Sequence, residues 1–179
     1  MEPNERRVFA GVMAAYERSR LKRAASGAML TLLFPLIAFV VGGRLVPSLV
    51  LGLGLWAVVV ALGWRGQAWG LSVPAGLKAG AFPLALSLIA QRIGHVCSPH
   101  GCTSLCVPMC TVGGVIAGLI IASHARRSPS PWLTLGGAAA VSIAVGAMGC
   151  ACVGMAGTLA MGASLFMSAG VWSAIRWAR

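Results

Sequence analysis

Acidic side chains are almost missing from this chain, which has three of them in 179 residues against fourteen Lys and Arg. All three, Glu2, Glu5 and Glu17, lie near the N-terminus, so no apolar segment carries a carboxylate. Proton-coupled transporters and pumps use such buried carboxylates, and their absence argues against that class. The sequence also contains no carboxylate pair, no Ser–His–Asp arrangement and no phosphate-cradling loop. We therefore expect no enzymatic activity and no catalytic residue.

Charged residues of either sign make up only 9% of the chain, whereas soluble domains carry about 25%. Hydrophobic residues make up 58%, and the mean hydropathy is +0.87. This composition excludes an ordinary soluble globule and predicts a protein embedded in a lipid bilayer. The net charge of +11 does not indicate direct nucleic-acid binding, because the basic residues lie between and outside the apolar runs, as topology determinants do. We expect no cleaved secretory signal, because the first apolar run is itself long enough to span a membrane.

The apolar runs predict an all-α, polytopic membrane protein with six transmembrane helices. Each run approaches the ~20 residues that are needed to cross the hydrocarbon core. The predicted spans are residues 24–43, 45–63, 74–94, 107–124, 132–149 and 153–173. Residues 64–70 are expected to form a loop, and Pro74 to open the third span. Gly114 and Gly118 form a Gly-x-x-x-Gly pair, which predicts close helix packing.

The N-terminal segment, residues 1–23, predicts a cytoplasmic amphipathic helix over residues 4–23, separate from the bundle of residues 24–179. Phe9, Val12, Met13 and Tyr16 follow the i, i+3, i+4, i+7 spacing of one helix face, and basic residues flank them. We call these four residues the apolar stripe. A helix of this kind either lies on the anionic inner leaflet or binds a soluble partner through its apolar face. The sequence leaves both interpretations open.

The distribution of basic residues predicts the orientation in the membrane. With the N-terminus inside, twelve of the fourteen Lys and Arg lie on the cytoplasmic side, and only Arg44 and Arg92 lie outside. Cytoplasmic loops are enriched in Lys and Arg, so both termini are expected in the cytoplasm. The connections between spans three and four, and between spans five and six, then face outward.

All six cysteines lie in these two outward connections. Four of them fall in a Cys-rich outer loop at residues 95–110. The other two form a Cys-x-Cys pair in the connection between spans five and six. They are Cys97, Cys102, Cys106, Cys110, Cys150 and Cys152. The spacing of four from Cys102 to Cys106 to Cys110 predicts that these three lie on one helix face. No C-x-x-C pair is present, which argues against a thiol oxidoreductase.

Three interpretations of the cysteines remain open at this stage. Disulfides persist outside the cytosol, and an even count of six allows one to three bridges. Thiolates also bind soft metal ions, with His95 and His100 as candidate additional ligands. Exposed thiols can also act as a reversible switch that responds to oxidants or to toxic metals. No cofactor other than such a soft metal ion is indicated.

Several features together resemble the small six-helix anti-sigma factors of the bacterial inner membrane. They are a short basic cytoplasmic N-terminus, a cysteine in the outer loop before span four, Gly149-Cys150 at the end of span five, and a glycine-rich last span that ends in Arg176-Trp177. The resemblance covers most of the chain. It implies a multi-pass protein of the cell inner (plasma) membrane.

The resemblance also implies a function. The N-terminal segment would hold a sigma factor at the membrane, and paired outer cysteines would release it in response to oxidants or heavy metals. By position, the pair would be Cys150 with Cys110 or Cys97. The alternatives are a transport protein for soft heavy-metal ions such as mercury(II), and a structural membrane subunit with disulfide-stapled loops.

Overall fold

The computed structural model describes residues 3–42, 45–93, 95–98, 101–150 and 155–177. Over these residues the chain is a bundle of helices with one short β-hairpin. The helices are α1 (Pro3–Ala28), α2 (Leu33–Gly42), α3 (Leu45–Arg65), α4 (Gln67–Ile93), α5 (Cys106–Ala125), α6 (Pro131–Cys150) and α7 (Met155–Trp177). A 3₁₀ turn, Met29–Leu32, joins α1 to α2, and the strands β1 (His95–Ser98) and β2 (Gly101–Ser104) lie between α4 and α5.

The prediction of a helical, multi-pass membrane protein is confirmed at the level of helix length and composition. Within the described residues, five helical stretches are long and apolar enough to cross a membrane, and a sixth, Ala156–Trp172, is apolar but shorter. The five are Gly11–Val41, Ser48–Arg65, Trp69–Ile93, Cys106–Ala125 and Pro131–Gly149. The six apolar segments of the sequence therefore correspond to six helical stretches of the structure.

The predicted boundary at residue 23 does not coincide with a break in the helix. Helix α1 continues to Ala28, and the 3₁₀ turn then leads directly into α2. The segment from Arg20 to Ala25 contains no Gly or Pro, so nothing in it stops the helix. Averaged over its whole length, α1 has almost no apolar face, so the stripe is a local feature of residues 9–16.

The 3₁₀ turn between α1 and α2 has a physical cause in Pro35. A proline cannot donate the helical hydrogen bond to the carbonyl four residues earlier and pushes that carbonyl away, which kinks a helix. Thr31, which occupies that earlier position, is buried, and its hydroxyl donates to the Ala28 carbonyl at 2.6 Å. On the next helix, Gly52 leaves room for the proline ring, because a Cβ there would lie 2.7 Å from Pro35 Cβ.

The loop predicted over residues 64–70 is wrong. Helix α3 continues to Arg65, and α4 begins at Gln67, so Gly66 alone makes the turn. Gly66 has a φ of +68°, a left-handed conformation that glycine adopts at little cost. Pro74 does not open a helix either. It lies inside α4, as does Pro83, which a membrane helix tolerates when its neighbours satisfy the freed carbonyls.

Helices α4 and α6 pack side by side and run in the same direction. A Cβ added to Gly76 would lie 2.7 Å from the Ala138 carbonyl oxygen, and one added to Gly80 would lie 3.1 Å from the Ser142 carbonyl oxygen. A step of four residues along α4 therefore corresponds to a step of four residues in the same direction along α6. These glycines allow the backbones to approach to a distance that any side chain would prevent.

Helices α5 and α7 repeat this arrangement. A Cβ on Gly114 would lie 2.5 Å from the Met161 carbonyl oxygen, and one on Gly118 would lie 2.5 Å from that of Leu165. The packing role predicted for the Gly-x-x-x-Gly pair is confirmed. The last four helices thus form two helical hairpins, α4–α5 and α6–α7, whose corresponding helices pack in parallel.

One cluster of buried apolar side chains connects these hairpins to the first helices of the chain. It draws residues from five helices, α1, α2, α3, α4 and α6. Its members are Ala28, Ala38, Leu55, Val59, Leu84, Val141, Val145 and Met148. We call this set the shared core. It reaches from the last residue of α1 to Met148, which lies two positions before Cys150.

Candidate sensing site at the cysteine end

The two cysteine-bearing tips lie at the same end of the bundle. Because α4 and α6 are parallel, their C-terminal ends meet, and the Gln91 side-chain amide donates to the Gly149 carbonyl at 2.8 Å. Gly149 also packs closely against Ser87 of α4, whose hydroxyl is satisfied by the Leu84 carbonyl at 2.8 Å. The C-terminal ends of α4 and α6 therefore lie side by side, which agrees with the prediction that both cysteine-bearing tips lie at one end of the bundle.

The connection after α4 contains a structure that the sequence analysis missed. Residues that were expected to form a plain loop pair as an antiparallel hairpin, with His95 opposite Ser104 and Cys97 opposite Cys102. Directly opposed residues in such a pair have Cα atoms about 4.5–5.5 Å apart. A disulfide requires Cα separations of about 4.4–6.8 Å, so this backbone register allows a bridge between Cys97 and Cys102.

Cys106 and Cys110 lie one turn apart at the start of α5. Both are buried, and Cys110 is completely so, at 0% exposure. Cys110 is in a disulfide bond and packs in a small cluster with Met161 and Ile143. A residue that was predicted for the outer loop is therefore part of the contact between α5, α6 and α7. Its disulfide partner lies outside the described side chains.

The prediction that Cys102 shares a helix face with Cys106 and Cys110 is wrong. Cys102 belongs to β2, and α5 begins only at Cys106. Pro108 occupies the third position of the helix, where its missing N–H costs no intrahelical bond. The spacing of four holds for Cys106 and Cys110 alone.

The remaining predicted site residues fall partly outside the described structure. Cys150 is the last residue of α6, but its side chain is not described, and Cys152 lies outside the described residues. The same holds for the side chain of His95 and for all of His100. Within the described part of the chain, no three His, Cys, Asp or Glu side chains come together as a metal site. The metal-ligand prediction for the two histidines thus stays a prediction.

The apolar stripe on α1 is exposed along its whole length. Phe9, Val12, Met13 and Tyr16 are 60%, 62%, 46% and 57% exposed. Helix α1 packs against α3 further along, where a Cβ on Gly63 would lie 3.2 Å from Ala24 Cβ. The stripe precedes this contact, so it is available to a lipid surface or to a partner.

A polar contact that the sequence did not indicate joins α1 to α3 at the opposite end of the bundle. The Arg20 guanidinium donates to the Trp64 carbonyl at the end of α3 and lies 5.7 Å from the centre of the Tyr16 ring. A cation at a helix C-terminus interacts favourably with the helix dipole. His124 lies in the last turn of α5, with Nδ1 3.0 Å from the Ile120 carbonyl oxygen of its own helix.

Sequence signals for these missed contacts are weak. Gln91 lies at the end of an apolar run, and its side chain joins α4 to α6. A polar amide at the end of that run was the only indication of this contact in the sequence.

No protein-family model matches the chain, and neither a curated protein nor a solved structure shows significant similarity to it.

Proposed function

We propose that the chain is a multi-pass sensor–regulator of the anti-sigma kind in the bacterial inner membrane. Its N-terminal helix holds a sigma factor in the cytoplasm, and its cysteines on the outer face respond to oxidants or soft metal ions. The observation that carries this proposal is the position of Cys110, which is disulfide-bonded and completely buried among three helices. The orientation follows from the placement of Lys and Arg.

A change in the redox state of Cys110 would act directly on helix packing. In our proposal an oxidant forms the disulfide by taking two electrons and two protons from a pair of thiols, and an external thiol reductant reverses the step; only the oxidised state holds the two sulfur atoms at about 2.05 Å. Cys110 is completely buried and packs with the fully buried Met161 and the partly buried Ile143, so a separated thiol displaces its neighbours. Close-packed interiors transmit such displacements, because they contain few voids to absorb them.

The shared core supports a route from this end of the bundle to the N-terminal helix. Met148 and Val145 of α6 belong to the same buried cluster as Leu55 of α3 and Ala28 of α1. Coupling between distant sites is carried by contiguous packed side chains when they have two arrangements. The shared core provides contiguity from Met148 to Ala28, whereas Cys110 packs in a separate small cluster with Met161 and Ile143. In our proposal α6, which carries both Ile143 and Val145, links the two clusters, and the two redox states of the cysteines supply the two arrangements.

The apolar stripe supplies the surface for the sigma factor. An amphipathic helix that binds in a groove does so through anchors at i, i+3, i+4 and i+7, which is the spacing of these four residues. Full burial of one such side chain is worth about 1.5–3 kcal/mol. Introducing a charge at Val12 should therefore weaken binding by at least about tenfold.

The test uses the full-length protein in detergent-solubilised membranes, with wild type, Val12→Glu and Arg127→Glu compared. Arg127 is exposed in the connection before α6, at the same end of the bundle, and Arg127→Glu is the stricter control for charge, because it changes the net charge by two units against one for Val12→Glu. We expect wild type and the control to retain a sigma factor, and Val12→Glu to lose it. Recovery of no sigma factor by the wild-type protein, or equal recovery by Val12→Glu, contradicts the proposal.

The second candidate function is a structural membrane subunit whose outer tips are held by disulfides. The disulfide at Cys110 favours it as much as it favours a sensor. Reduction of the wild-type protein separates the two. A regulator changes its sigma-factor retention between the oxidised and the reduced state, whereas a structural subunit loses thermal stability and has no retained sigma factor to release. Counting thiols before and after reduction establishes how many cysteines are bridged in each preparation.

A further inference from the structure

A cavity of about 540 Å³ lies between α1 and the turn from α3 to α4. Arg20, Arg23 and Arg65 line it together with the hydroxyl-bearing residues Tyr16 and Ser19, and the small residues Ala24, Gly63 and Gly66 complete it. The lining contains three positive charges and no carboxylate. Its volume is within the range of about 300–1,000 Å³ that is typical of ligand sites.

Two of the three arginines are held in place by other parts of the chain. Arg20 donates to the Trp64 carbonyl and lies over the Tyr16 ring, and the Arg65 guanidinium lies 6.0 Å from the centre of the Trp69 ring. Cation–π contacts of this kind leave the edge of the guanidinium available for hydrogen bonds. The planar fork of arginine suits phosphate oxygens, and a fixed fork loses less entropy on binding.

Gly66 lets these charges converge. A Cβ at this position would lie 2.7 Å from Arg20 Nη2, so any larger residue would displace the guanidinium. The carbonyl of Gly66 accepts hydrogen bonds from the N–H groups of Trp69 and Gly70 at 3.2 and 3.3 Å and thereby begins α4. The positive end of the α4 dipole therefore lies beside the cavity and favours an anion there.

The cavity lies at the level where two apolar helices end. The stretch Ser48–Arg65 ends at it and the stretch Trp69–Ile93 begins beside it. Trp64 and Trp69 lie at the same level, and tryptophan is enriched where a membrane helix meets the lipid headgroups. The phosphate layer of a bilayer is found at this depth.

We propose that this cavity binds a phosphate group, with the headgroup of an anionic phospholipid as its source in the membrane. Three arginines, two of them fixed, supply the donors, and the position at the ends of the apolar helices gives a lipid headgroup direct access. The site requires neither the cysteines nor Phe9, Val12 and Met13, and it shares only Tyr16 with the apolar stripe, so its test is separate from that of the sigma-factor proposal.

The test is native mass spectrometry of the full-length protein in detergent, titrated with phosphatidylglycerol or with phosphatidylcholine. A parallel arm adds inorganic phosphate without lipid. The variants are Arg23→Ala and Arg65→Ala, and the matched controls are Arg126→Ala and Arg127→Ala, which remove exposed charges at the same end but outside the cavity. Arg20 is left unchanged because it also holds the end of α3.

We expect phosphatidylglycerol to bind more tightly than phosphatidylcholine, and each cavity variant to weaken that preference by about fivefold, as expected for one basic residue near an anionic surface. The controls should leave it unchanged. If inorganic phosphate at millimolar concentration competes with the lipid, and its binding is weakened by the same arginine variants, the ligand is a soluble phosphate compound. That result keeps the phosphate site and changes only the source of the phosphate. Equal effects of cavity and control variants, or no preference for either anion, overturn it. A thermal midpoint measured in phosphatidylcholine, together with Arg23→Gln and Arg65→Gln, shows whether a cavity variant has lost binding or lost its fold.

Discussion

Replacing Gly118 by alanine tests one of the close helix contacts in the bundle. The added Cβ would lie 2.5 Å from the Leu165 carbonyl oxygen and 3.2 Å from the Ala169 backbone nitrogen, whereas ordinary contact begins at 3.4 Å. These are backbone atoms, which cannot rotate away as a side chain can. Helices α5 and α7 must therefore separate by about 0.9 Å at this point, and overpacking of this kind costs about 1–3 kcal/mol.

The opposing effect is the higher helix propensity of alanine, which is worth up to about 1 kcal/mol. Gly170→Ala in α7 isolates that term, because nothing lies within 4 Å of a Cβ at this position. We expect Gly118→Ala to be less stable than Gly170→Ala by about 1–3 kcal/mol. The double variant with Gly114→Ala should cost less than the sum of the single variants, because the first separation already makes room for the second methyl group.

Reversible unfolding in mixed micelles, with increasing sodium dodecyl sulfate, gives the free energies of unfolding, and the tryptophans report the transition. Equal stability of Gly118→Ala and Gly170→Ala would show that α5 and α7 do not approach each other as closely as described. A strictly additive double variant would show that the two glycines do not share one interface. Either result refutes the parallel packing of the two helical hairpins.

Three further predictions use the same unfolding assay. Gly66→Ala should lose about 1–2 kcal/mol, because alanine is strained in the left-handed conformation, and a neutral effect would contradict the one-residue turn. Gln91→Ala should lose about 1 kcal/mol through the missing hydrogen bond to the Gly149 carbonyl, and an unchanged free energy would mean that this side chain does not join α4 to α6. Gly137→Ala should be less stable than Gly136→Ala by about 1–3 kcal/mol, since only the first methyl group would meet α4, and the reverse order would exclude the described face of α6.

The six apolar helical stretches could be predicted from the sequence because their signal is local. Length and apolar composition decide whether a helix can cross the hydrocarbon core, and both are read directly from each segment. The packing of Gly114 and Gly118 was predictable for a similar reason, since a small residue every four positions forms a groove on one helix face. Neither inference required knowledge of a distant residue.

The turn at Gly66 could not be predicted because its determinants are distant in the chain. Tryptophan, arginine and glycine between two apolar runs are equally compatible with a loop and with continuing helices. The deciding contact is the hydrogen bond from Arg20, forty-four residues earlier, to the end of α3. A residue with φ of +68° beside that guanidinium must be glycine, but the sequence does not say which of its glycines takes this role.

The cysteine site was predictable in its location but not in its construction. Hairpin connectivity places both tips at one end, and the spacing of Cys106 and Cys110 follows from the helix repeat. The position of Cys97 opposite Cys102 depends on the strand register. Strands of four residues are too short to show an alternation of apolar and polar residues from which that register could be predicted. The burial of Cys110 depends on Met161, which approaches it only because the α4–α5 and α6–α7 hairpins pack in parallel.

The two ends of the molecule need different experiments to distinguish a role in signalling from a role in stability. At the cysteine end, Cys110 and Gln91 belong to the helix contacts themselves, so every substitution there changes stability and any signal together. At the opposite end, Val12 and Phe9 are exposed and contribute little to the fold. A sigma-factor interaction is therefore tested cleanly only through the stripe, whereas the redox response needs a chemical perturbation of the unaltered chain. Reduction of the wild-type protein, followed by the retention assay, breaks the sulfur–sulfur bond without substituting any side chain of the shared core.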